Sequence, residues 1–595
     1  MPGKTMHLYC LCILVAGFLL PLPVTTFTRS SFLATGSSRP ADFATVDPGY
    51  IYDQLAYMTN HFLKREAGYD TNLPANVNGH DEFASYWSQE MMRHLHNFGA
   101  QIQRDAFPVK GWVHRPAPVN AFNVEISIPG AVHPEQIVVI GCHYDGEAIS
   151  TQSAFDDASG CAVELGVAQA LSNYWSSHHT YPTRTLRFVI YDAEEQGIFG
   201  SFHYVNNTVN GDLSNIVAMF NEEQSGIAYP LRYLGKLNNP LLPFYVDISP
   251  LKDSYLYPAQ SKLSSAQRDH ILNFRALMTQ AIPAVFQQFQ ALGYQGLTYH
   301  TSNKQNIAQP IFTSNQLNNV IVQDDKEGGS DQIPFTLAGL PCATFLGNAT
   351  YYDDHPPAWS YPFDQRADTL QLMNTFATGG SRKSNALMLA LALPGMLTTW
   401  MLHQPAILGE TDASTLAGPL TTISDIGQIR PGETLTLTAA IPPPSLTQKG
   451  ATTFKWNFGD GNTAAGAIVS HSYTQAGNYT LTLTASSAAG SRSINKLVKV
   501  ATQSTNYPNP YANFPEDGNP PGNPQVKLPL PDDTLTDAVI HTPVTSATSS
   551  TSTFVKTVEK TGQTVMTYLP LIAGIAVLLA ACIFTAFMIR RKRRA

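Results

Sequence analysis

Gln136-Ile137-Val138-Val139-Ile140-Gly141-Cys142-His143-Tyr144-Asp145 is an almost unbroken apolar run that stops at a histidine and a carboxylate. A run this short and β-branched reads as a strand buried on both faces, as in sheets covered by helices. Outward from it, helical and strand patterns alternate, which predicts an α/β domain with a mixed central sheet and helices on both faces over residues 45–404. Helical spacing is expected from Ile51, Phe83, Cys161, Ser265 and Ser384 onward, and strands are expected around Asn123, Thr185, Ile216 and Ala343. Residues 228–328 interrupt the alternation and read as an insertion, placed either over the strand ends as pocket wall or at the periphery.

The chain has 595 residues, too many for one ordinary domain, and its 43% hydrophobic content is ample for packed cores. A net charge of −8 gives no reason to expect nucleic acid as a partner. Residues 1–28 follow signal-peptide grammar: Lys4, an apolar run to Leu20, then small and polar residues. Residues 569–589 are uncharged and long enough to span a bilayer, and the basic tail 590–595 reads as a cytoplasmic stop-transfer cluster. The expected location is the cell membrane, held by a single C-terminal helix, with the bulk outside. Cys142, Cys161 and Cys342 are the cysteines outside the apolar ends. An odd count implies no disulfide framework, and core packing is expected for all three.

Two further acidic motifs follow strand patterns or sit just before a helix: Asp156-Asp157-Ala158-Ser159-Gly160 and Asp192-Ala193-Glu194-Glu195-Gln196-Gly197. His143 suits zinc, and Asp145 can hydrogen-bond the other ring nitrogen. One aspartate of the Asp156–Asp157 pair suffices as a helix cap, which leaves the other free to bridge cations. Glu194 and Glu195 can serve one site only from a loop past the strand end, since neighbours on a strand face opposite ways. One of them can bind metal while the other accepts a proton from water. Singly these motifs are weak; together, at strand ends, they indicate a metal-assisted hydrolase.

At these motifs the chain resembles the co-catalytic di-zinc aminopeptidases, metallopeptidase family twenty-eight of clan MH, over about residues 50–403. Gly329-Ser330-Asp331-Gln332-Ile333-Pro334-Phe335 and Ala367-Asp368-Thr369-Leu370 match weaker patterns of the family. The resemblance implies that His143 binds one metal, Asp156 bridges both, Glu195 binds the other, and Glu194 is the general base. Asp145 would support His143 from behind. Two slots depart from the family: Glu223 stands where an aspartate is expected, with Glu222 as second choice. Asp364 stands where the last histidine is expected, with His355 as the alternative reaching in from its loop. Gln332 likewise replaces a histidine common after the Ser-Asp pair.

These replacements leave Asp156, Glu195 and Asp364, all oxygen donors, around one position, while the other keeps His143 beside Asp156 and Glu223. Oxygen-only sites favour harder cations than zinc. One or two zinc ions are therefore expected, with the second position suited to another divalent cation. The added negative charge is expected to raise the pH needed for full activity.

Residues 421–502 read as a small all-β sandwich. Trp456-Asn457-Phe458-Gly459-Asp460-Gly461 and His471-Ser472-Tyr473 through Leu483 resemble a polycystic-kidney-disease (PKD) domain, which implies a non-catalytic spacer. Residues 503–567 are Pro-, Ser- and Thr-rich and read as a stalk. Asn206, Asn348 and Asn478 head potential glycosylation acceptors. The whole predicts an extracellular, membrane-anchored metal-dependent peptidase acting on peptides or proteins, most readily from the N-terminus. The alternatives are a non-catalytic adhesion protein on a decayed fold, and carboxypeptidase or glutaminyl-cyclase chemistry on the same fold.

Overall fold

The computed structural model describes residues 42–68, 79–110, 118–209, 213–227, 232–233, 236–237, 244–254, 256–294, 296–301, 306–325, 329–346, 364–378, 385–416, 418–424, 426–427, 429–441, 451–503, 506–509 and 535–537. Two helices open the described chain, α1 (Pro48–His61) and α2 (His80–Leu95). Asp47 caps α1, its side chain accepting from the amides of Gly49 and Tyr50. Strands β1 (Gln101–Val109), β2 (Val119–Ile128) and β3 (His133–His143) lead into helix α3 (Ala158–His178). Then come β4 (Arg184–Tyr191), β5 (Ile216–Glu222), β6 (Phe244–Ile248), α4 (Ser265–Ala291), β7 (Val320–Asp324) and β8 (Cys342–Leu346). Helices α5 (Leu370–Thr378) and α6 (Ala386–Leu402) close the domain.

The eight strands form one sheet in the order β1-β2-β4-β3-β5-β8-β6-β7. It is mixed, as expected: β3, β4, β5 and β8 run parallel, while β1, β2 and the β8–β6 pair introduce antiparallel contacts. Strand alternation sorts the side chains cleanly between two faces. Val138, Ile140, Leu186, Phe188, Ile190, Ala218 and Phe220 join one core with residues of α1, α2, α3, α4 and α6. Ile137, Val139, Val189, Tyr191 and Met219 belong to the opposite core. Helices on both faces were expected, and the coverage is unequal. The long helices named in the first core lie on one side, whereas short helical segments, Tyr204–Thr208 and Ile333–Leu337, serve the other.

Two segments of the expected insertion, β6 and β7, extend the sheet, and α4 packs on its helical face through Phe220–Phe274. The stretch is thus part of the scaffold and more than a loop. The cysteine expectation is corrected as well: Cys142 and Cys161 form a disulfide with Cα atoms 5.5 Å apart, joining the end of β3 to the first turn of α3. Their sequence separation of 19 gave no hint of this, because strand and helix meet only in the fold. Cys342 remains a buried free thiol.

The expected sandwich is present. Its two sheets, of three and four strands, enclose Leu437, Trp456, Phe458, Tyr473, Leu481, Leu483 and Val498. Its last strand, Gly490–Val500, lies against β3 on the face opposite the long helices. A polar cavity of about 280 Å³ sits between them, lined by Glu125, Arg187, Ser424 and Lys496 among others. The sandwich is therefore docked on the sheet. Among the described residues no helix is long and apolar enough to cross a membrane. The signal segment 1–28, the span 569–589 and the tail 590–595 lie outside the described residues, as do nearly all of the stalk and Asn348.

Candidate metal centre

The carboxyl ends of β3, β4 and β5 and the start of α3 converge on one buried basin. β3 ends at His143, whose Nε2 lies 2.8 Å from Asp156 Oδ1 and 3.6 Å from Glu223 Oε1. His143, Asp156 and Glu195 bring one potential ligand atom each to within 4.8 Å of one another, as do His143, Asp157 and Glu223. Asp364 borders the group on the Glu195 side: its carboxyl contacts Asp156, and its charge is the strongest acidic influence on Glu195. His355 lies outside the described residues.

The two aspartates divide their work. Asp157 caps α3, with Oδ1 accepting from the amides of Gly160 (2.9 Å) and Gln224 (3.2 Å). Asp156 turns into the basin across a cis peptide bond. Asp368 orients it from behind, accepting from the amides of Phe155 (2.9 Å) and Asp156 (3.1 Å). Of the two glutamates after β5, Glu223 faces His143. Glu222 points the other way and accepts from the Thr398 hydroxyl at 2.6 Å.

Asp145 does a different task from the one expected. It lies 3.5 Å from His143 Nδ1, too long for a strong hydrogen bond. Its two oxygens accept instead from the backbone amides of Glu194 (3.1 Å) and Glu195 (3.2 Å). Asp145 thus holds the turn that carries both glutamates. That turn is conformationally costly: Ala193, Gly197 and Ile198 have φ of 57°, 121° and 58°. A non-glycine residue held there costs about 1–3 kcal/mol, and a β-branched isoleucine is an outlier.

Supporting residues appear both inside the quoted motifs and beyond them. Ser330 donates to Glu223 Oε2 at 2.6 Å, and Gln224 Nε2 donates to Asp156 Oδ2 at 2.9 Å. Gln332, in the slot of a histidine, donates to Asp325 and accepts from Asn221, so it braces β5. Arg65, only 2% exposed, donates to the carbonyls of Tyr144, Gln152 and Ser153 and so ties together the loops that carry Asp145 and Asp156. The Glu147 amide donates to Glu195 Oε1 at 3.2 Å, and burial raises its own carboxyl to about 7. Only their position next to the acidic motifs could have flagged Glu147 and Gln224.

Burial drives the carboxyls of Glu194, Glu195, Asp157 and Asp364 well above the usual range, and their mutual repulsion adds to it. For Glu194, His143 opposes the shift while Glu223 and Asp331 reinforce it. Burial also lifts Asp331 to about 7. Asp157 Oδ2 and Asp364 Oδ1 are buried without a hydrogen-bond partner. Like charges this deep, converging on an imidazole nitrogen and with oxygens unspent, fit divalent cations. The donor set is asymmetric: an imidazole on one side, and Asp156, Glu195 and Asp364 on the other.

Residues 123–304 match the model for Peptidase family M28, and residues 417–501 match the model for a PKD domain. The chain is 30% identical to human Carboxypeptidase Q over 115 residues, 19% of this chain and 23% of that protein. It is 33% identical to Aminopeptidase YwaD of Bacillus subtilis over 97 residues, 16% of this chain and 20% of that one. The matches thus span about a quarter or less of these relatives. Among solved structures, an aminopeptidase from Aneurinibacillus sp. strain AM-1 aligns over 61% of this chain and 95% of its own, at 13% identity and a TM-score of 0.38. Glutaminyl cyclase of Porphyromonas gingivalis aligns over 61% and 99%, at 15% identity and a TM-score of 0.39.

Proposed function

We propose that this chain, whose residues 123–304 belong to peptidase family M28, is a metal-dependent exopeptidase that removes N-terminal residues from peptides. The observation that carries the proposal is the convergence of His143, Asp156, Glu195 and Glu223 at the strand ends, with Glu194 beside them on a braced turn. Divalent cations held by His143, Asp156, Glu195, Glu223 and Asp364 would supply a charge that polarises the scissile carbonyl and acidifies water. Zinc suits the His143 side, and a harder, more exchangeable cation suits the side of Asp156, Glu195 and Asp364.

Glu194 is the base in this proposal. Placed beside the cations, it would take a proton from attacking water and return it to the leaving amine. Asp145 fixes the turn that aims it. The signal-like segment 1–28 and the apolar 569–589 followed by a basic tail support an extracellular location with a membrane anchor. Peptides blocked at one end or the other, incubated with the purified chain and Zn²⁺ or Mn²⁺, test the activity by product analysis. Release of the N-terminal residue from C-terminally blocked peptides is expected. Cleavage only of N-terminally blocked peptides points to a carboxypeptidase, cyclisation of N-terminal glutamine to a cyclase, and no product with either metal to a binding protein.

A further inference from the structure

The chain returns to the peptidase domain after the sandwich. Val500 ends the last sandwich strand, and Tyr507 is already bound to the short helical segment that follows the Glu194–Gly197 turn. The backbone amide of Tyr507 donates to Asn206 Oδ1 at 2.8 Å, and Asn206 Nδ2 donates back to the Tyr507 carbonyl at 2.9 Å. Two residues on, Asn509 Nδ2 donates to the Gly197 carbonyl at 2.8 Å. Gly197 closes the catalytic turn, its own amide donating to the Glu194 carbonyl at 2.8 Å. The Tyr507 ring packs against the apolar cluster of Val205 and Phe335, and also against that of Ile198, Phe202 and Ile333.

We propose that Tyr507-Pro508-Asn509 is a strap that holds the Glu194–Glu195 turn in its working shape. The turn needs such restraint, because Ala193 and Ile198 both sit at positive φ, where side chains resist staying. Asp145 grips it from the site side, and the strap grips it from the outer side. The turn is therefore tied by hydrogen bonding to the strap, which follows the sandwich docked on the back of the sheet by only a few residues. Severing the chain between residues 500 and 507 would leave His143, Asp156, Glu223 and Asp364 in place and slacken the turn that carries Glu194 and Glu195. The strap also engages both polar groups of the Asn206 side chain, so in this closed form the acceptor at 206–208 is not offered to a glycan.

Amide hydrogen exchange on the full-length protein tests this, comparing wild type with Tyr507→Ala, Asn509→Ala and Asn206→Asp. The last keeps the acceptor for the Tyr507 amide and loses the donor. The expected result is exchange at least tenfold faster across residues 193–200 in Tyr507→Ala, smaller increases in the other two, and unchanged protection of β3. A kcat at least tenfold lower should accompany it. That kinetic arm rests on the assignment of Glu194 as the base, whereas the exchange arm does not. Unchanged exchange in all three variants would overturn the strap. So would acceleration spread evenly over the fold, which would make Tyr507 an ordinary packing residue. A wild type without peptidase activity would sink the functional proposal while leaving the exchange comparison decisive.

Discussion

Glu194 lies half-buried among carboxylates, and its neighbours decide how tightly it holds a proton. It is absent from both groups of convergent ligand atoms, which draw on His143, Asp156, Asp157, Glu195 and Glu223. Glu194→Gln should therefore keep the metal content of the wild type and lose about 10²–10⁴-fold in kcat, the usual worth of a general base. A variant with near-normal kcat would remove Glu194 from that role. Asp364 tests the other half of the site. It brings an oxygen to a position where Asp156 and Glu195 already supply oxygens. Asp364→His would add a nitrogen donor and remove a negative charge, so more zinc should survive dialysis at the second position. Metal analysis before and after dialysis reads this, and equal zinc retention in both proteins would show that donor type does not set selectivity here. The acidic motifs were legible because they sit at strand ends or just before a helix, and the Glu223 slot was legible only through the family resemblance. The task of Asp145 was not, because its partners are backbone amides 49 and 50 residues away that come close only through the parallel pairing of β3 and β4.

Elements were legible in proportion to how fully they are buried. β3 and β4 are apolar almost throughout, and α3 keeps an unbroken buried face, so their patterns stand out. β1 is an edge strand with mostly exposed residues and a proline, and nothing in its composition separates it from a loop. β6 and β7 are five residues each, too short for periodicity, and they join the sheet by pairing with β8 and with each other. The β3–α3 disulfide is likewise a product of packing. It closes a loop of 19 residues, for which chain entropy predicts about 3 kcal/mol of stabilisation. Cys142→Ala/Cys161→Ala should lower the denaturation midpoint by a corresponding amount, read by urea unfolding. The loop between them carries Asp145, Asp156 and Asp157, so metal affinity should fall with it. An unchanged midpoint and unchanged affinity would make the bridge incidental.

For the molecule as a whole, the centre stores repulsion that cations relieve, and the linkage to pH follows from the direction of the shifts. Glu147 and Asp331 are pushed up to about 7 by burial, from the ordinary carboxylate range near 4, and burial raises Glu194, Glu195 and Asp364 in the same direction. A carboxyl whose folded pKa is raised binds more protons folded than unfolded, so metal-free stability falls as pH rises from about 4 through the folded values. His80 adds in the same direction. Burial alone would lower it, but Asp192, with its carboxylate 2.9 Å away, and Asp81 hold it at about 9. Its contribution is complete below its ordinary value of about 6.5 and is lost as pH rises through about 9. Divalent cations cancel the carboxylate part and leave the His80 part. The melting temperature of the chelated protein should therefore drop steeply between about pH 5 and 8, while the metal-loaded protein stays level up to about pH 6.5 and loses only the His80 part between about pH 6.5 and 9. The gap between the two curves should widen with pH. Parallel curves would mean that the carboxylates of the centre are not relieved by bound metal, and that the basin evolved around some other charge.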